Sequence, residues 1–491
     1  MSENQNTNEN INQNGKLKRS LKARHLTMIA MGGAIGTGLF VASGEALSTA
    51  GPGGALFAYA AIGVMVYFLM TSLGEMATFL PISGSFETYA TRFVDPALGF
   101  ALGWNYWYSW AITVAAELSA SALIMRFWFP DVPAIIWSAA FLSILFLLNI
   151  LSAKIYGESE YWFAGIKVVT VLIFLVIGLL MIFGIISADT ARFANLTVGD
   201  APFVNGLSGM IGIFIVAGFS FQGTEIVGVA AGESEKPEVD VPKAINTVFW
   251  RILIFYIGAI FVIGCVLPYT DPQLLNGSID KISVSPFTLV FNKAGFLFAA
   301  SVMNAVILTS VLSCGNSGMY VATRMLYAMA LEKKAPALLA KVNKRGVPMN
   351  ALYVTTGVGM LAFLASLYGN GTVYIWFLNA SGLSGFLIWL GISISHYRFR
   401  KAYIAQGRDL KDLKYRARFF PFGPIFAAIL CSFVILGQNY KAFFGASIDW
   451  TAICVAYIGL PLFFILYLGY KYIHKTKLVP LKECNFNKPE N

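Results

Sequence analysis

Residues 26–40 read LTMIAMGGAIGTGLF, an apolar run with four glycines between positions 32 and 38. A glycine inside a helix costs about 1 kcal/mol relative to alanine, so this segment is expected to start as a helix and then unwind. The same anomaly recurs at residues 218–225, which read GFSFQGTE. Tight packing is the alternative explanation, because small residues also let helices approach closely in a membrane.

The composition of the whole chain indicates whether its surface faces water or lipid. Of the 491 residues, 57% are hydrophobic and only 12% are charged. A globular protein carries about 25% charged residues, so a surface this poor in charge is expected to face lipid. Three histidines and five cysteines without paired spacing predict neither a metal site nor a disulfide framework. The sequence has no Walker-type or catalytic motif, which disfavours direct ATP drive and an enzyme.

Charge-poor stretches predict an all-α polytopic membrane protein. A bilayer core is crossed by roughly 20 apolar residues in a helix. Twelve stretches qualify: 26–48, 54–78, 97–124, 134–152, 161–187, 206–231, 244–268, 295–320, 351–368, 372–396, 421–438 and 451–471. The two glycine-rich segments fall in the first and sixth spans, the equivalent positions of two five-helix halves. Paired interruptions of this kind indicate a transporter binding site.

The distribution of Lys and Arg predicts the orientation. With the N-terminus inside, 28 of the 35 basic residues lie in cytoplasmic segments and five in external loops. This bias places both termini in the cytoplasm and explains the net charge of +10 without a nucleic-acid partner. The predicted organisation is a disordered basic N-terminus (1–25), two five-helix repeats (26–190 and 206–396), a basic cytoplasmic loop (397–420), helices 11 and 12 (421–471) and a cytoplasmic tail (472–491).

Broken helices suit a zwitterionic ligand. The N-terminus of a half-helix exposes N–H groups and a positive dipole end that attract a carboxylate, while the C-terminus exposes carbonyls that accept from an ammonium. The candidates for the carboxylate cradle are Ile35, Gly36, Thr37 and Gly38. The candidates from the second break are Phe219, Ser220, Phe221 and Thr224, with Phe219 or Phe221 as an aromatic gate. The predicted ligand is therefore an amino acid.

Ionisable residues inside predicted spans are treated as functional hypotheses. Lys167 is followed by 21 uncharged residues and either carries a proton or snorkels to the cytoplasmic interface. Glu117 lies in the middle of the third span, and Glu225 lies at the second break. Each carboxylate either attracts a cationic substrate group, takes part in proton coupling, or is paired structurally. Arg251 is expected to snorkel.

Several stretches resemble the amino acid permeases of the amino acid–polyamine–organocation superfamily. They are LKARHLTMIAMGGAIGTGLF (21–40), GEMATFLPISGSFETY (74–89), GFSFQGTEIVGVAAGESE (218–235) and LSCGNSGMYVATRMLY (312–327). The stretches 99–111, 269–275, 283–291 and 392–398 are similar to the bacterial lysine-permease branch. The resemblance implies a LeuT-like 5+5 inverted repeat followed by two C-terminal helices, with proton-driven import of a basic amino acid.

The resemblance also assigns roles to individual residues. It matches the carboxylate-binding break to residues 33–38 and the second break to residues 219–225. It implies that Lys167 stands in for a sodium ion. The bacterial lysine-permease branch carries Asp where this chain has Glu117. Permeases for neutral and aromatic substrates also carry Glu225. Neither carboxylate therefore identifies the substrate by itself.

Together, these observations predict a bacterial inner-membrane symporter that imports L-lysine with a proton by alternating access around a midplane site. Substrate contacts are expected from both breaks, Glu117 and Glu225, and proton coupling from Lys167 and Glu225. Protons are the coupling ion, and no other cofactor is expected. The expected partners are the amino acid and the lipid bilayer, with protein partners unknown. The alternatives are a permease for an aromatic amino acid or histidine, and a membrane regulator that senses lysine.

Overall fold

The computed structural model describes residues 21–32, 35–151, 153–186, 192–275, 285–296, 298–437, 439–444 and 448–488. Within these ranges the regular elements are helices, apart from one isolated bridge between Leu21 and Ser234. Residues 1–20 of the predicted disordered N-terminus and the matched position Gly33 lie outside the described residues.

The helices follow one another in chain order. The α-helices are α1 (Ala23–Gly32), α2 (Thr37–Phe40), α3 (Ser43–Phe79), α4 (Ser85–Phe93), α5 (Pro96–Met125), α6 (Ala134–Leu151), α7 (Ala153–Ile182), α8 (Gly206–Phe221), α9 (Ile226–Ala230), α10 (Pro237–Arg251), α11 (Ala259–Val266), α12 (Pro272–Leu275), α13 (Pro286–Lys293), α14 (Ala299–Leu331), α15 (Met349–Gly359), α16 (Ala365–Tyr368), α17 (Asn370–Ala405), α18 (Phe422–Gly437), α19 (Lys441–Phe444), α20 (Trp450–Tyr457) and α21 (Gly459–His474). A π-helix (Ile252–Gly258) joins α10 to α11, and 3-10 turns occupy Arg192–Thr197, Ala231–Glu233, Ala337–Ala340, Met360–Leu364, Leu410–Asp412 and Leu481–Glu483.

These helices make the chain a multi-pass membrane protein. Among the described residues, nine helical segments are long and apolar enough to cross a bilayer, and α18 is a shorter apolar helix. The nine correspond to the second through tenth predicted spans. The first predicted span is divided between α1 and α2, and the twelfth between α20 and α21.

The boundary predicted between the first two spans, at residues 48–54, coincides with an interruption of the helical backbone at Gly51. Residues 43–48, assigned to the first span, begin α3, which continues to Phe79. The predicted loop is a kink at Gly51, whose φ of +74° lets the helix bend before Pro52. The carbonyl of Pro202 accepts hydrogen bonds from the N–H groups of Gly53 and Gly54, which the kink releases from the helix. The helical conformation is therefore interrupted at Gly51, between the two predicted spans, although α3 is continuous on either side of it.

Other helices extend beyond the predicted spans because charged residues continue them past the apolar core. Helix α7 begins eight residues before position 161, and α10 begins seven residues before position 244. Helix α14 continues to Leu331, and α17 reaches Ala405, inside the predicted basic loop. Residues 21–25, assigned to a disordered N-terminus, include the bridge to Ser234 and the start of α1.

Helix α5 lies at the centre of the packing. It makes its most extensive contacts with α14 on one side and α17 on the other, and it is buried along most of its length. Helix α8 packs along α3, while α1 packs against α7 and α10. The two broken segments are therefore enclosed by long, continuous helices.

Candidate functional site

The first break lies between α1 and α2. Helix α1 ends at Gly32, and the next helical residue is Thr37. Between them Gly36 has an extended backbone, with φ −136° and ψ −149°. The cradle candidates Ile35, Gly36, Thr37 and Gly38 are all buried. Unpaired backbone groups at these half-helix ends can receive a carboxylate or an ammonium group.

The second break lies between α8 and α9. Helix α8 ends at Phe221, and Gly223 adopts φ +94°, a left-handed conformation that side chains disfavour. The N–H of Gly223 donates to both carboxylate oxygens of Glu225, at 3.3 and 3.2 Å. Glu225 therefore occupies a backbone donor that the interrupted helix would otherwise leave unpaired.

The two breaks touch each other at Gly38. A Cβ atom added there would lie 2.5 Å from the Cα of Ser220 and 2.9 Å from its backbone nitrogen. The Ser220 hydroxyl is in turn 2.9 Å from the hydroxyl of Tyr59 on α3. Only glycine permits this approach, which brings Ile35–Gly38 and Ser220 into one region.

Glu117 faces the first break from α5. The Thr37 hydroxyl donates to Oε1 of Glu117 at 3.2 Å. A Cβ on Gly36 would lie 3.3 Å from the same oxygen and 3.3 Å from Sγ of Cys314. Oε2 of Glu117 is buried and has no hydrogen-bond partner among the described residues. A buried carboxylate with an open oxygen can accept from a substrate or carry a proton.

Glu225 is held from the opposite side by α17. The indole N–H of Trp389 donates to Oε2 of Glu225 at 3.3 Å. The neighbouring Gln222 donates through its amide to the carbonyl of Ser381, also on α17, at 3.0 Å. Sequence reasoning missed Trp389 and Gln222, because an aromatic or amide side chain in an apolar span carries no distinctive signal.

Arg251 does not snorkel as predicted. Its side chain is 1% exposed, and its guanidinium donates to the hydroxyl of Thr224 in the second break. The start of α10 at Pro237 places Arg251 further along its helix than a helix start at 244 would. A tertiary contact with the second break therefore replaces the interfacial position expected from the sequence.

The two gate candidates have different surroundings. Phe221 is fully buried and stacks on Tyr256, with ring centroids 4.1 Å apart. Phe219 is 6% exposed and lies next to Ser220 at the end of α8. Because the stack occupies one face of the Phe221 ring, Phe219 is the better candidate for a gate.

Lys167 lies inside α7, fully buried. Its Nζ is 3.8 Å from Oε1 of Glu160, which is also fully buried. Lys167 is also near enough to Glu117 for the two charges to interact. Glu160 was missed because the predicted span began at residue 161. The spacing of seven residues, which places two side chains on one helix face, was the available signal.

The candidate residues thus form two neighbouring groups. The first break, Glu117 and Lys167 make one group, and the second break with Glu225 makes the other. They meet where Gly38 contacts Ser220. Within the described ranges, no group of three or more His, Cys, Asp or Glu side chains is placed to hold a metal ion.

Comparison with known proteins finds similarity to amino acid permeases along most of the chain. The family model for amino acid permeases matches residues 25–483. The chain is 59% identical over 476 residues to the lysine-specific permease LysP of Escherichia coli K12, covering 97% of each protein. It is 55% identical to LysP of Lactococcus lactis over 96% of this chain and 93% of the relative. It is also 51% identical to the histidine permease HisP of Lactococcus lactis, covering 98% and 99%.

Proposed function

The chain belongs to the amino acid permease family, and on that premise we propose that it imports L-lysine together with a proton. The observation that carries the proposal is the contact between the two broken helices, with a buried carboxylate beside each break. Glu117 contacts Thr37 in the first break, and Glu225 accepts from Gly223 in the second. Half-helix ends supply groups for the ligand's carboxylate and α-amino groups, and a carboxylate suits a second ammonium.

We assign the substrate to the basic amino acids because relatives named for lysine are more similar to this chain than a relative named for histidine. Two relatives named as lysine-specific permeases share 59% and 55% identity with this chain, and a histidine permease shares 51%. Histidine is therefore the second candidate. Both substrates carry the same α-amino and α-carboxyl groups, so the contacts that separate them act on the side chain.

The proposed coupling ion is a proton, carried by Lys167 with Glu225 as a further candidate. Lys167 is fully buried, and its Nζ lies 3.8 Å from the buried carboxylate of Glu160. Its ammonium can take the place of a bound cation beside the first break. Loss of that charge would weaken the inward-facing arrangement and release substrate, so that release and deprotonation are linked.

The proposed architecture is twelve membrane-spanning helices in a LeuT-like 5+5 inverted repeat with two C-terminal helices. The proposed repeats span 26–190 and 206–396, and both termini lie on the cytoplasmic side of the bacterial inner membrane. The bias of basic residues supports this orientation. Alternating access would rock one helix bundle against the other around the two breaks.

Uptake into proteoliposomes tests the proposal. The full chain is reconstituted, and uptake of labelled L-lysine is measured with and without an inward proton gradient. We expect gradient-stimulated accumulation that unlabelled lysine suppresses and phenylalanine does not. Stronger competition by histidine than by lysine would reassign the substrate. Equal uptake with and without the gradient would reject proton coupling. Absence of lysine uptake would reject lysine as the substrate.

A further inference from the structure

We infer that Glu160 is a coupling residue that accepts the proton from Lys167 and passes it toward the cytoplasmic end of α7. This inference rests on the proposed proton symport and adds a residue to it. Glu160 and Lys167 are both fully buried and lie seven residues apart on α7. They therefore share one face of the helix, about two turns apart along it.

The distance between the two groups suits a switchable pair. Nζ of Lys167 is 3.8 Å from Oε1 of Glu160, longer than a hydrogen bond between nitrogen and oxygen. The charges attract each other without being locked together. Lysine has a flexible four-carbon stem, so a small side-chain movement or one intervening water closes the gap.

Ser313 on α14 holds the carboxylate in place. Its hydroxyl lies 2.8 Å from Oε1 and 2.7 Å from Oε2 of Glu160, and it donates to the carboxylate. Because Ser313 approaches both oxygens, Glu160 is oriented by a neighbouring helix as well as by its own.

Polar groups continue from Glu160 toward the N-terminal end of α7. Tyr156, one turn away, is 3.0 Å from the hydroxyl of Ser317. Tyr320 stacks on Tyr156 with centroids 3.9 Å apart, and its hydroxyl donates to Glu233 at 2.7 Å. This line of groups leads away from the substrate region, toward the side that the charge bias places in the cytoplasm.

Other charged and titratable groups surround the pair. Glu117 on α5 and Cys314 on α14 lie next to each other, since a Cβ on Gly36 would be 3.3 Å from both side chains. Arg324 on α14 pairs with Glu233 at 3.0 Å, which neutralises that carboxylate. Near the start of α7, His25 of α1 contacts Glu158, whose side chain points to the exposed face. Among the described residues, the ion pair observed for Lys167 joins it to Glu160.

The proposed step is a proton transfer from Lys167 to Glu160. An N–H bond of the Lys167 ammonium breaks, and an O–H bond forms on Glu160, so that a buried ion pair becomes a neutral amine and a neutral carboxylic acid. Two neutral groups are less unfavourable in a low-dielectric interior than an ion pair whose geometry has loosened. In the inward-facing state the carboxylic acid then releases its proton to water, and Glu160 regains its charge.

The test separates exchange from accumulation. Full-length Glu160→Gln protein is reconstituted, and lysine exchange at equal pH is measured beside accumulation driven by an inward proton gradient. One pH unit supports about tenfold accumulation per proton, and we expect Glu160→Gln to lose this accumulation while exchange stays within about threefold of wild type. Glu158→Gln is the matched control, because it makes the same change two residues away on a partly exposed carboxylate that pairs with Arg24. It is expected to accumulate lysine normally.

The outcomes are distinguishable. Gradient-driven accumulation by Glu160→Gln at the wild-type level, with wild type responding to the gradient, would overturn this inference alone. A wild-type protein that ignores the gradient would overturn the proposed symport and this inference with it. If Glu160→Gln is not recovered from membranes, Ser313→Ala replaces it and is expected to shift the pH profile of accumulation while exchange remains. An unchanged profile would overturn the inference.

Discussion

Gly38 shows at the scale of a single residue how one missing methyl group creates the candidate site. Its backbone lies against the backbone of Ser220, so the first break can contact the second only where no Cβ intervenes. From the sequence, the role expected for Gly38 was to let the helix unwind. The structure adds a second reason, the close approach of two chain segments 182 positions apart.

Substitution of this glycine tests the contact. A Gly38→Ala variant places a Cβ 2.5 Å from the Cα of Ser220, so that backbone atoms must shift. Overpacking of this kind costs about 1–3 kcal/mol. We expect the apparent affinity for lysine to fall roughly tenfold, which corresponds to about 1.4 kcal/mol. The measurement is the concentration dependence of labelled lysine uptake in proteoliposomes.

Gly212→Ala provides the comparison. Gly212 lies on α8, and a Cβ there would meet nothing within 4 Å. This variant is expected to keep the wild-type affinity. Equal affinities for both variants would show that the contact between Gly38 and Ser220 is unimportant for binding.

At the scale of helices, the second break depends on a backbone conformation as well as on helix propensity. Gly223 adopts φ +94° between α8 and α9, and its N–H reaches Glu225. The break at the end of α8 could be predicted because glycine is costly in a helix. The kink at Gly51 could not be separated from a loop, because glycine and proline predict both.

Replacement of Gly223 is expected to destabilise the protein. A Cβ in the left-handed region costs about 1–2 kcal/mol, so Gly223→Ala should lower the melting temperature in detergent. Gly357→Ala is the matched control, since this helical glycine has open space around it. Its expected effect is stabilisation by up to about 1 kcal/mol. A Gly223→Ala protein as stable as the control would contradict the role assigned to this conformation.

At the scale of the whole molecule, the C-terminal segment packs against the ends of α3, α4 and α17. Residues 475–488, predicted only as a tail, run across the ends of several helices. The N–H of Val479 donates to the carbonyl of Val94 at 2.8 Å, and the amide of Gln406 donates to the carbonyl of Cys484 at 2.8 Å. Phe486 is 4% exposed and forms the apolar anchor of this segment.

Removal of the Phe486 ring is expected to weaken the packing of the C-terminal segment against the helix ends. Phe486 packs against Phe79, Phe93, Phe399 and Tyr403, with ring centroids 5.2 to 5.9 Å apart. A buried Phe→Ala change costs about 3–5 kcal/mol, so Phe486→Ala should lower the melting temperature by several degrees. Thermal unfolding of the purified protein in detergent measures this effect.

Leu478→Ala is the control for the same segment. Leu478 is 57% exposed, and exposed substitutions usually change stability by less than about 0.5 kcal/mol. If the two variants melt at the same temperature, the segment does not stabilise the helix ends, and Phe486 is not its anchor.

The sequence by itself determined the all-α, multi-pass class, the approximate position of most spans and the two interruptions. These follow from local composition, because lipid requires apolar helices of a set length and glycine weakens a helix wherever it occurs. Candidate residues such as Glu117, Lys167 and Glu225 were likewise recognisable, because charge is rare in such segments.

Only the tertiary structure decided which partners these residues have. Glu160 meets Ser313 across 153 positions, and Trp389 reaches Glu225 across 164. Arg251 turns to Thr224, and Phe486 joins rings from three separate helices. No local pattern encodes such pairs, because their contacts arise when distant helices pack. The spans therefore follow from the solvent around each segment, and the site follows from how the segments meet.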